Sequence, residues 1–233
     1  MEKNMNVVYA MTRNVYPWII PSITSLVEHN PDVNIFILAE DVSLPRLRLP
    51  KPCTVINVRE QFWFDQNSVN YNNMFKYINL LKVVYPSILG VDRVIHLDID
   101  TIICGSLKGL WETDCEGKWF AACPEYVNTW YKPFGDRYYN MGVALINLDQ
   151  MRKDGVEPKL VRYLATVKQP FADQDAWNKY GIEQDKIADL DLRFNESVVT
   201  GCTDDPVIVH YCSIGDWFTN RTMFRHEYID RYR

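Results

Sequence analysis

Two aspartates one residue apart, Asp98 and Asp100, close an apolar run within Asp92–Ser106, and they are the strongest chemical signal in the chain. Side chains two apart on an extended segment point the same way. The pair can therefore aim both carboxylates at one point beyond the carboxyl end of a strand. Two like charges that close call for a cation, and oxygen ligands select a hard divalent ion, Mg²⁺ or Mn²⁺, which keeps positions open for substrate phosphates. The plainer reading is an acidic strand end in solvent. Further on, Asp173, Gln174 and Asp175 stand together in Phe171–Trp177 and offer groups suited to sugar hydroxyls, although acids at a helix start are also ordinary caps. Asn140 and Gly142 share an Asn-Met-Gly turn, where the amide could enter a site and the glycine could admit a ligand or simply form a bulge. His210 follows the apolar run Val207–Val209 much as Asp98 follows its own.

The elements that must position these residues read as strand, helix, strand, repeated. Asn6–Ala10 is a short apolar strand, Met11–Tyr16 a loop, and Pro17 to His29 a helix with Ile19, Ile20, Ile23, Leu26 and Val27 on one face. Val33–Ala39 and Cys53–Val58 are the next strands. Asn72–Tyr85 reads as a helix stopped by Pro86, leading into the strand of Val94, Ile95 and Leu97, with His96 inside the run. This order predicts an α/β fold with a mostly parallel sheet. Ligands bind such sheets at the carboxyl ends of the strands, which puts Met11–Tyr16 on the edge that carries Asp98 and Asp100. Leu107–Trp111 reads as a helical turn, Lys118–Cys123 as a strand, and Tyr126–Tyr139 as an aromatic, irregular lid or acceptor loop. Tyr138–Leu148 then predicts a turn followed by a strand, and Val156–Val167 an amphipathic helix with a basic surface.

Composition narrows the class. With 233 residues, 47% hydrophobic, the chain can bury a large core as one domain. No apolar stretch approaches the roughly 18 residues of a membrane span. The amino-terminal segment has no charged-then-apolar leader, so a soluble cytoplasmic protein is expected, with Arg231 and Arg233 able to meet an anionic membrane surface. Six scattered cysteines support neither a zinc site nor a disulfide scaffold, which agrees with a reducing compartment. A net charge of −5 argues against a generally basic nucleic-acid surface, while 14 Tyr and seven Trp suit either base and sugar stacking or an aromatic core.

Taken together, Val94–Asp100 (VIHLDID), the segment YYNMGVALINL, ADQDAWN and the late strand before His210 resemble the family 8 glycosyltransferases, in that family's order and over most of the chain. The resemblance implies a single nucleotide-sugar-binding domain of GT-A, Rossmann-like type. Its nucleotide part would span about 1–105, its sugar and acceptor part about 106–213, and a carboxyl-terminal lid or tail about 214–233. It implies Mn²⁺, or Mg²⁺, held by Asp98, Asp100 and His210 together with the donor diphosphate. Asp173 and Gln174 would face the donor sugar, with Asp175 as second acid and Gln174 beneath the anomeric carbon. The donor-binding set expected, partly from the resemblance and partly from residues that stand in where the chain departs from it, is Ala10, Thr12, Asn14 and Tyr16 at the base and ribose, then Lys76, Asn79, Asp98, Ile99, Asp100, Asn140, Gly142, Gly215 and Arg221. The implied donor is a UDP-sugar, UDP-glucose or UDP-galactose, and the acceptor a saccharide or another hydroxyl compound.

Three departures from the family pattern stand out. The first loop reads AMTRN where the family has an Asp, Asn79 replaces an Arg with Lys76 and Lys82 nearby, and Asp216 occupies the place of a phosphate-binding Lys. Arg221 is the nearest substitute cation, and with Arg225 it shares a face if the tail is helical. Gly215 could hinge that tail, and Trp217 and Phe218 could anchor it. The implied reaction is glycosyl transfer with retention. An inverting enzyme would need a base such as Asp136 or Glu125. A nucleotidyltransferase would want a glycine- and base-rich phosphate loop, where only Arg13 is present, and a non-catalytic sugar-nucleotide binder would fit the missing Lys.

Overall fold

β-Branched and aliphatic runs lay down the central sheet. The computed structural model describes residues 5–40, 49–72, 76–126, 137–212, 217, 219–222 and 224–233. Strand β1 (Asn6–Met11) is followed by a 3-10 segment, Arg13–Trp18, helix α1 (Ile19–His29), β2 (Asn34–Ala39) and β3 (Thr54–Asn57). Next come α2 (Lys76–Leu80), a 3-10 turn Leu81–Val84, α3 (Tyr85–Ile88), β4 (Arg93–Leu97), β5 (Thr101–Ile103) and α4 (Lys108–Trp111). Strands β6 (Phe120–Pro124) and β7 (Tyr139–Asn147) precede α5 (Leu148–Asp154), α6 (Glu157–Thr166), α7 (Asp173–Glu183), β8 (Ile187–Asp189), β9 (Ile208–His210) and α8 (His226–Asp230).

Seven strands form one sheet in the order β3-β2-β1-β4-β7-β6-β8. The β3-β2, β2-β1, β1-β4 and β6-β8 pairs are parallel, whereas β7 runs antiparallel to both β4 and β6. The fold is thus α/β with a mostly parallel sheet. Alternation along the strands builds a core on each face. Val7, Tyr9, Ile95 and Leu97 pack with α1 and α4, while Val8, Val94, Ala144 and Ile146 pack with α2, α3 and α5 to α7. Among the described residues no helix is long and apolar enough to cross a membrane. All six cysteines are free.

Several local expectations are corrected. Met11–Tyr16 is largely a 3-10 turn, and Pro17 belongs to it, so α1 starts at Ile19. The helix expected over Asn72–Tyr85 is broken into α2, a 3-10 turn and α3, and Pro86 sits in the first turn of α3 instead of stopping it. The missing N–H of a proline costs nothing in a first turn. The expected Asn-Met-Gly turn lies inside β7, where the β6-β7 register jumps from Ala122↔Ala144 to Cys123↔Asn140. Arg225 stands in a left-handed turn before the five-residue α8, so Arg221 and Arg225 share no helical face. Gly215, Asp216 and Phe218 lie outside the described residues, as does most of the aromatic loop, Asp136 included.

Candidate metal and sugar-nucleotide site

Asp98 and Asp100 do not lie on an extended strand. β4 ends at Leu97, and the pair occupies the turn between β4 and β5. Convergence comes instead from the second, two-stranded sheet. β5 pairs antiparallel with β9 so that Thr101 faces His210, and Tyr211 N donates to Asp100 O at 3.0 Å. That register sets the last residue of β9 beside the second aspartate. Thr101 Oγ1 donates to Asp98 O at 2.8 Å and bonds Ser22 on α1 at 2.9 Å, which ties the turn to the first βα unit. One ligand atom from each of Asp98, Asp100 and His210 lies within 4.8 Å of the others. His210 Nε2 stands 3.4 Å from Asp100 Oδ1 and 3.9 Å from Asp98 Oδ2.

Gly142 lies in the irregular part of β7. A Cβ at that position would come within 2.0 Å of His210 Cε1, so the imidazole occupies the space a side chain would need. Gly142 O accepts from Asp98 N at 2.7 Å, and Gly142 N donates to Asn140 Oδ1 at 3.0 Å. The close approach that glycine permits is therefore made by His210.

Asp98 Oδ1 accepts from Lys82 Nζ at 3.0 Å and contacts His96 Nε2 at 2.9 Å. Those bonds leave Oδ2 turned toward His210. Lys82 is 3% exposed, and its Nζ also lies 3.5 Å from Asp173 Oδ2. Burial alone would lower its pKa, but the Asp173 and Asp98 charges outweigh that and raise it. Asp173 behaves differently: burial lifts its carboxyl to about 6 against the opposing pull of Lys82. The two observations agree once one ammonium is seen to serve two acids, since the lysine gains from both while each acid receives a share. His96 is buried, and burial reinforced by the Lys82 charge holds its imidazole down to about 4. It is thus neutral near pH 7, donating from Nε2 to Asp98 and accepting at Nδ1 from the Tyr85 hydroxyl at 3.1 Å.

Helix α7 carries the other cluster. Asp173 is 3% exposed, and its Oδ2 has no hydrogen bond, only the 3.5 Å ion pair. Buried carboxylate oxygens are nearly always bonded, so this one is a ready acceptor for a hydroxyl. Gln174 accepts from Met141 N at 3.0 Å and donates to Glu125 Oε1 at 3.1 Å. Asp175 is engaged on both oxygens, accepting from the Tyr138 hydroxyl at 2.5 Å and from Phe171 N at 2.8 Å. The cap reading therefore suits Asp175, which reaches back before the helix start, and fails for Asp173.

The remaining expected residues are spread more widely. Thr12 and Tyr16 are buried and Ala10 half-buried at the carboxyl end of β1, which neighbours β4 in parallel. Nothing is described of the Asn14 side chain. Asn79 and Ile99 are half-buried, while Lys76 and Arg221 are exposed. Arg225 is committed elsewhere, donating to the buried Glu196 at 2.7 Å. Glu125 is buried and already receives Asn140 and Gln174, an environment unlike that of a free base. Lys82 was absent from the expected set, although a lysine four residues after Ile78 on an apolar helical stripe is a visible signal. Asn195, which bonds both His210 and Asn140, carried no such signal.

The donor set, two carboxylates and an imidazole nitrogen, fits a divalent ion of the Mn²⁺ or Mg²⁺ kind. The model of "Glycosyl transferase family 8" matches residues 6–216. A Haemophilus influenzae protein named "Putative glycosyltransferase" is 24% identical over 240 residues, covering 90% of this chain and 72% of its own. Glycosyltransferase GlyA of Streptococcus pneumoniae is 24% identical over 212 residues, 84% of this chain but 30% of its own length. Among solved structures, the galactosyltransferase LgtC in complex with donor and acceptor sugar analogues superposes with a TM-score of 0.72 at 22% identity, over 97% of this chain and 94% of that one. Its likeness shows the fold, of GT-A type. With the family match running nearly end to end, the chain belongs to glycosyltransferase family 8 and is a glycosyltransferase.

Proposed function

We propose that the protein transfers a hexose from a UDP-sugar, UDP-glucose or UDP-galactose, to a hydroxyl of a saccharide acceptor, with retention of anomeric configuration and dependence on Mn²⁺ or Mg²⁺. The observation that carries this reading is the meeting of Asp98, Asp100 and His210 within 4.8 Å, one lysine away from the buried Asp173. A divalent ion held there supplies positive charge to a leaving diphosphate without needing a proton. Lys82 holds Asp98 and Asp173 in one fixed arrangement. Asp173 Oδ2, buried without a hydrogen bond, receives a sugar hydroxyl. Gln174 stands next to it in the first turn of α7, oriented by Met141 and Glu125. Ala10, Thr12, Asn14 and Tyr16 take the base and ribose, and the exposed Arg221 approaches the diphosphate, where a guanidinium fork donates two hydrogen bonds at once. Retention rests on the family resemblance and on the engagement of Glu125, which argues against a free acceptor-side base. Incubation with a panel of UDP-sugars and Mn²⁺ without acceptor tests the reading. Slow, chelator-sensitive hydrolysis of UDP-hexoses is expected, and indifference to Mn²⁺ across the panel would overturn it.

A further inference from the structure

A single chain of buried amides runs from the candidate metal site to α7, and its polarity can be worked out from groups that have no choice of role. The Gly142 N–H can only donate, so the Asn140 atom it meets at 3.0 Å is the oxygen. Asn140 Nδ2 then faces Glu125 Oε1 at 3.0 Å. Asn195 Nδ2 donates to the same Asn140 oxygen at 3.1 Å, which leaves Asn195 Oδ1 3.0 Å from His210 Nδ1. A carbonyl oxygen only accepts, so Nδ1 must carry the hydrogen. The far end agrees: Met141 N–H fixes the Gln174 oxygen, so Gln174 Nε2 also turns to Glu125. Asn195 is fully buried, Asn140 and His210 nearly so, and Gly142 backs the imidazole ring. Backbone bonds from Glu196 N to Ile208 O and from His210 N to Glu196 O hold the Asn195 segment alongside β9.

We propose that Asn195 is a positioning residue that fixes the His210 tautomer with hydrogen on Nδ1, so that the Nε2 lone pair is presented between Asp98 and Asp100. This rests on the metal-site reading above and adds to it the residue that prepares the imidazole for a divalent ion. Partners on the second nitrogen of a metal-bound histidine set its orientation and basicity, and losing one typically costs 10–100-fold in affinity. Two groups compete: in the metal-free protein Asp100 Oδ1, 3.4 Å from Nε2, favours a hydrogen there, which Asn195 opposes by accepting at Nδ1, and a thiol stands beside Nδ1 itself. Cys212 Sγ lies 3.3 Å from the same Nδ1, and a thiol donating there would force the hydrogen onto Nε2 and turn it against the ion. Cys212 is exposed, whereas Asn195 is buried and anchored through Asn140 to backbone, so the asparagine prevails.

The experiment has two arms. Two-bond proton–nitrogen correlation spectra of the metal-free wild type, taken at a pH where the ring is neutral, read the tautomer with no mutation and no metal. Nδ1–H is expected, and Nε2–H would overturn the proposal. In the second arm free Mn²⁺ is titrated by electron paramagnetic resonance. Asn195→Ala is expected to weaken Mn²⁺ about 10–100-fold, while Cys212→Ala stays near wild type. Unchanged affinity in a folded Asn195→Ala protein would also overturn it. Failure of the wild type to bind Mn²⁺ would sink the metal-site reading, while the tautomer spectrum still decides the role of Asn195.

Discussion

Lys82 is the residue on which the charge balance of the site turns. It is buried between Asp98 and Asp173, so removing it leaves two carboxylates facing each other with no cation. Breaking a buried ion pair from one side costs about 3–5 kcal/mol. Lys82→Met is accordingly expected to lose stability on that scale in urea unfolding, with Asp173→Asn in the same chain recovering part of it; additive losses would mean the three groups are not coupled. Asp173 also yields a pH signature. Burial disfavours the charge on its carboxyl and pushes the pKa up to about 6 in the folded protein, from an ordinary 3.8. Between those values the folded state holds more protons on this group than the unfolded state, so its contribution to stability falls as pH rises. Relative to wild type, Asp173→Asn should therefore gain stability from about pH 4 to about pH 6 in the metal-free protein, by an amount on the order of 3 kcal/mol. His96 has the opposite sign, since its unfolded imidazole keeps a proton that the buried ring, at about 4, has already lost. A pH-independent difference between Asp173→Asn and wild type would show that Asp173 is not the buried acid described.

At the scale of elements, strands were easier to read than the geometry at their ends. Val7–Val8 and Val94–Ile95 announce themselves because each side of the sheet is covered and β-branched residues fit it. The helix before β4 was harder: Pro86 and the segment Leu80–Val84, apolar except for Lys82, are compatible with one helix or with three pieces, and the structure has three. Asp98, Asp100 and His210 were reachable through motif resemblance, but the means of their convergence was not. The turn after β4 and the Thr101↔His210 register are long-range pairings that no local pattern encodes. The same holds for Asn195, whose partners lie at 140 and 210. Gly142 was legible as a special position, while its close contact with His210 was not. Its irregular place in β7 gives an element-scale prediction. Gly142→Ala puts a methyl where His210 Cε1 stands, and overpacking of this kind costs about 1–3 kcal/mol. Because the ring is the group that must yield, Mn²⁺ affinity should fall together with stability. A variant that loses stability yet binds Mn²⁺ normally would show that the ring can move without disturbing the site.

Across the whole molecule, the site depends on a piece of chain that is remote from it in sequence. Ile102 of β5, Val209 of β9, Tyr211, Trp217 and Ile229 of α8 form a small core of their own, separate from the two that sandwich the large sheet. The two-stranded sheet carrying His210 is therefore backed by the carboxyl-terminal segment, which is fastened down by an ion pair from Arg231 to Glu28 of α1 and by a clamp from Arg225 to Glu196. Arg225 donates from Nε to Glu196, which is fully buried, and from its terminal nitrogen to Thr203 O at 2.8 Å. Glu196 in turn accepts His210 N on its backbone oxygen, so the clamp and the histidine share a residue. This gives the segment a structural duty in addition to any approach of Arg221 to the diphosphate. Arg225→Ala leaves Glu196 buried without its cation, a loss of about 3–5 kcal/mol if the site stays dry and less if water enters through the exposed part of Arg225. The expected outcome is local: trypsin cleavage at Arg221 and Arg231 accelerates, and Mn²⁺ binding weakens as β9 loosens, while far-ultraviolet circular dichroism of the large sheet is retained. Arg221→Ala, by contrast, should leave Mn²⁺ affinity and proteolysis elsewhere in the tail unchanged and weaken only the diphosphate donor. Should Arg225→Ala behave like Arg221→Ala, the third core would hold β9 without the clamp, and the coupling between the tail and the histidine would have to run through Trp217 and Tyr211, whose stacked rings lie 5.2 Å apart on the same strand's flank.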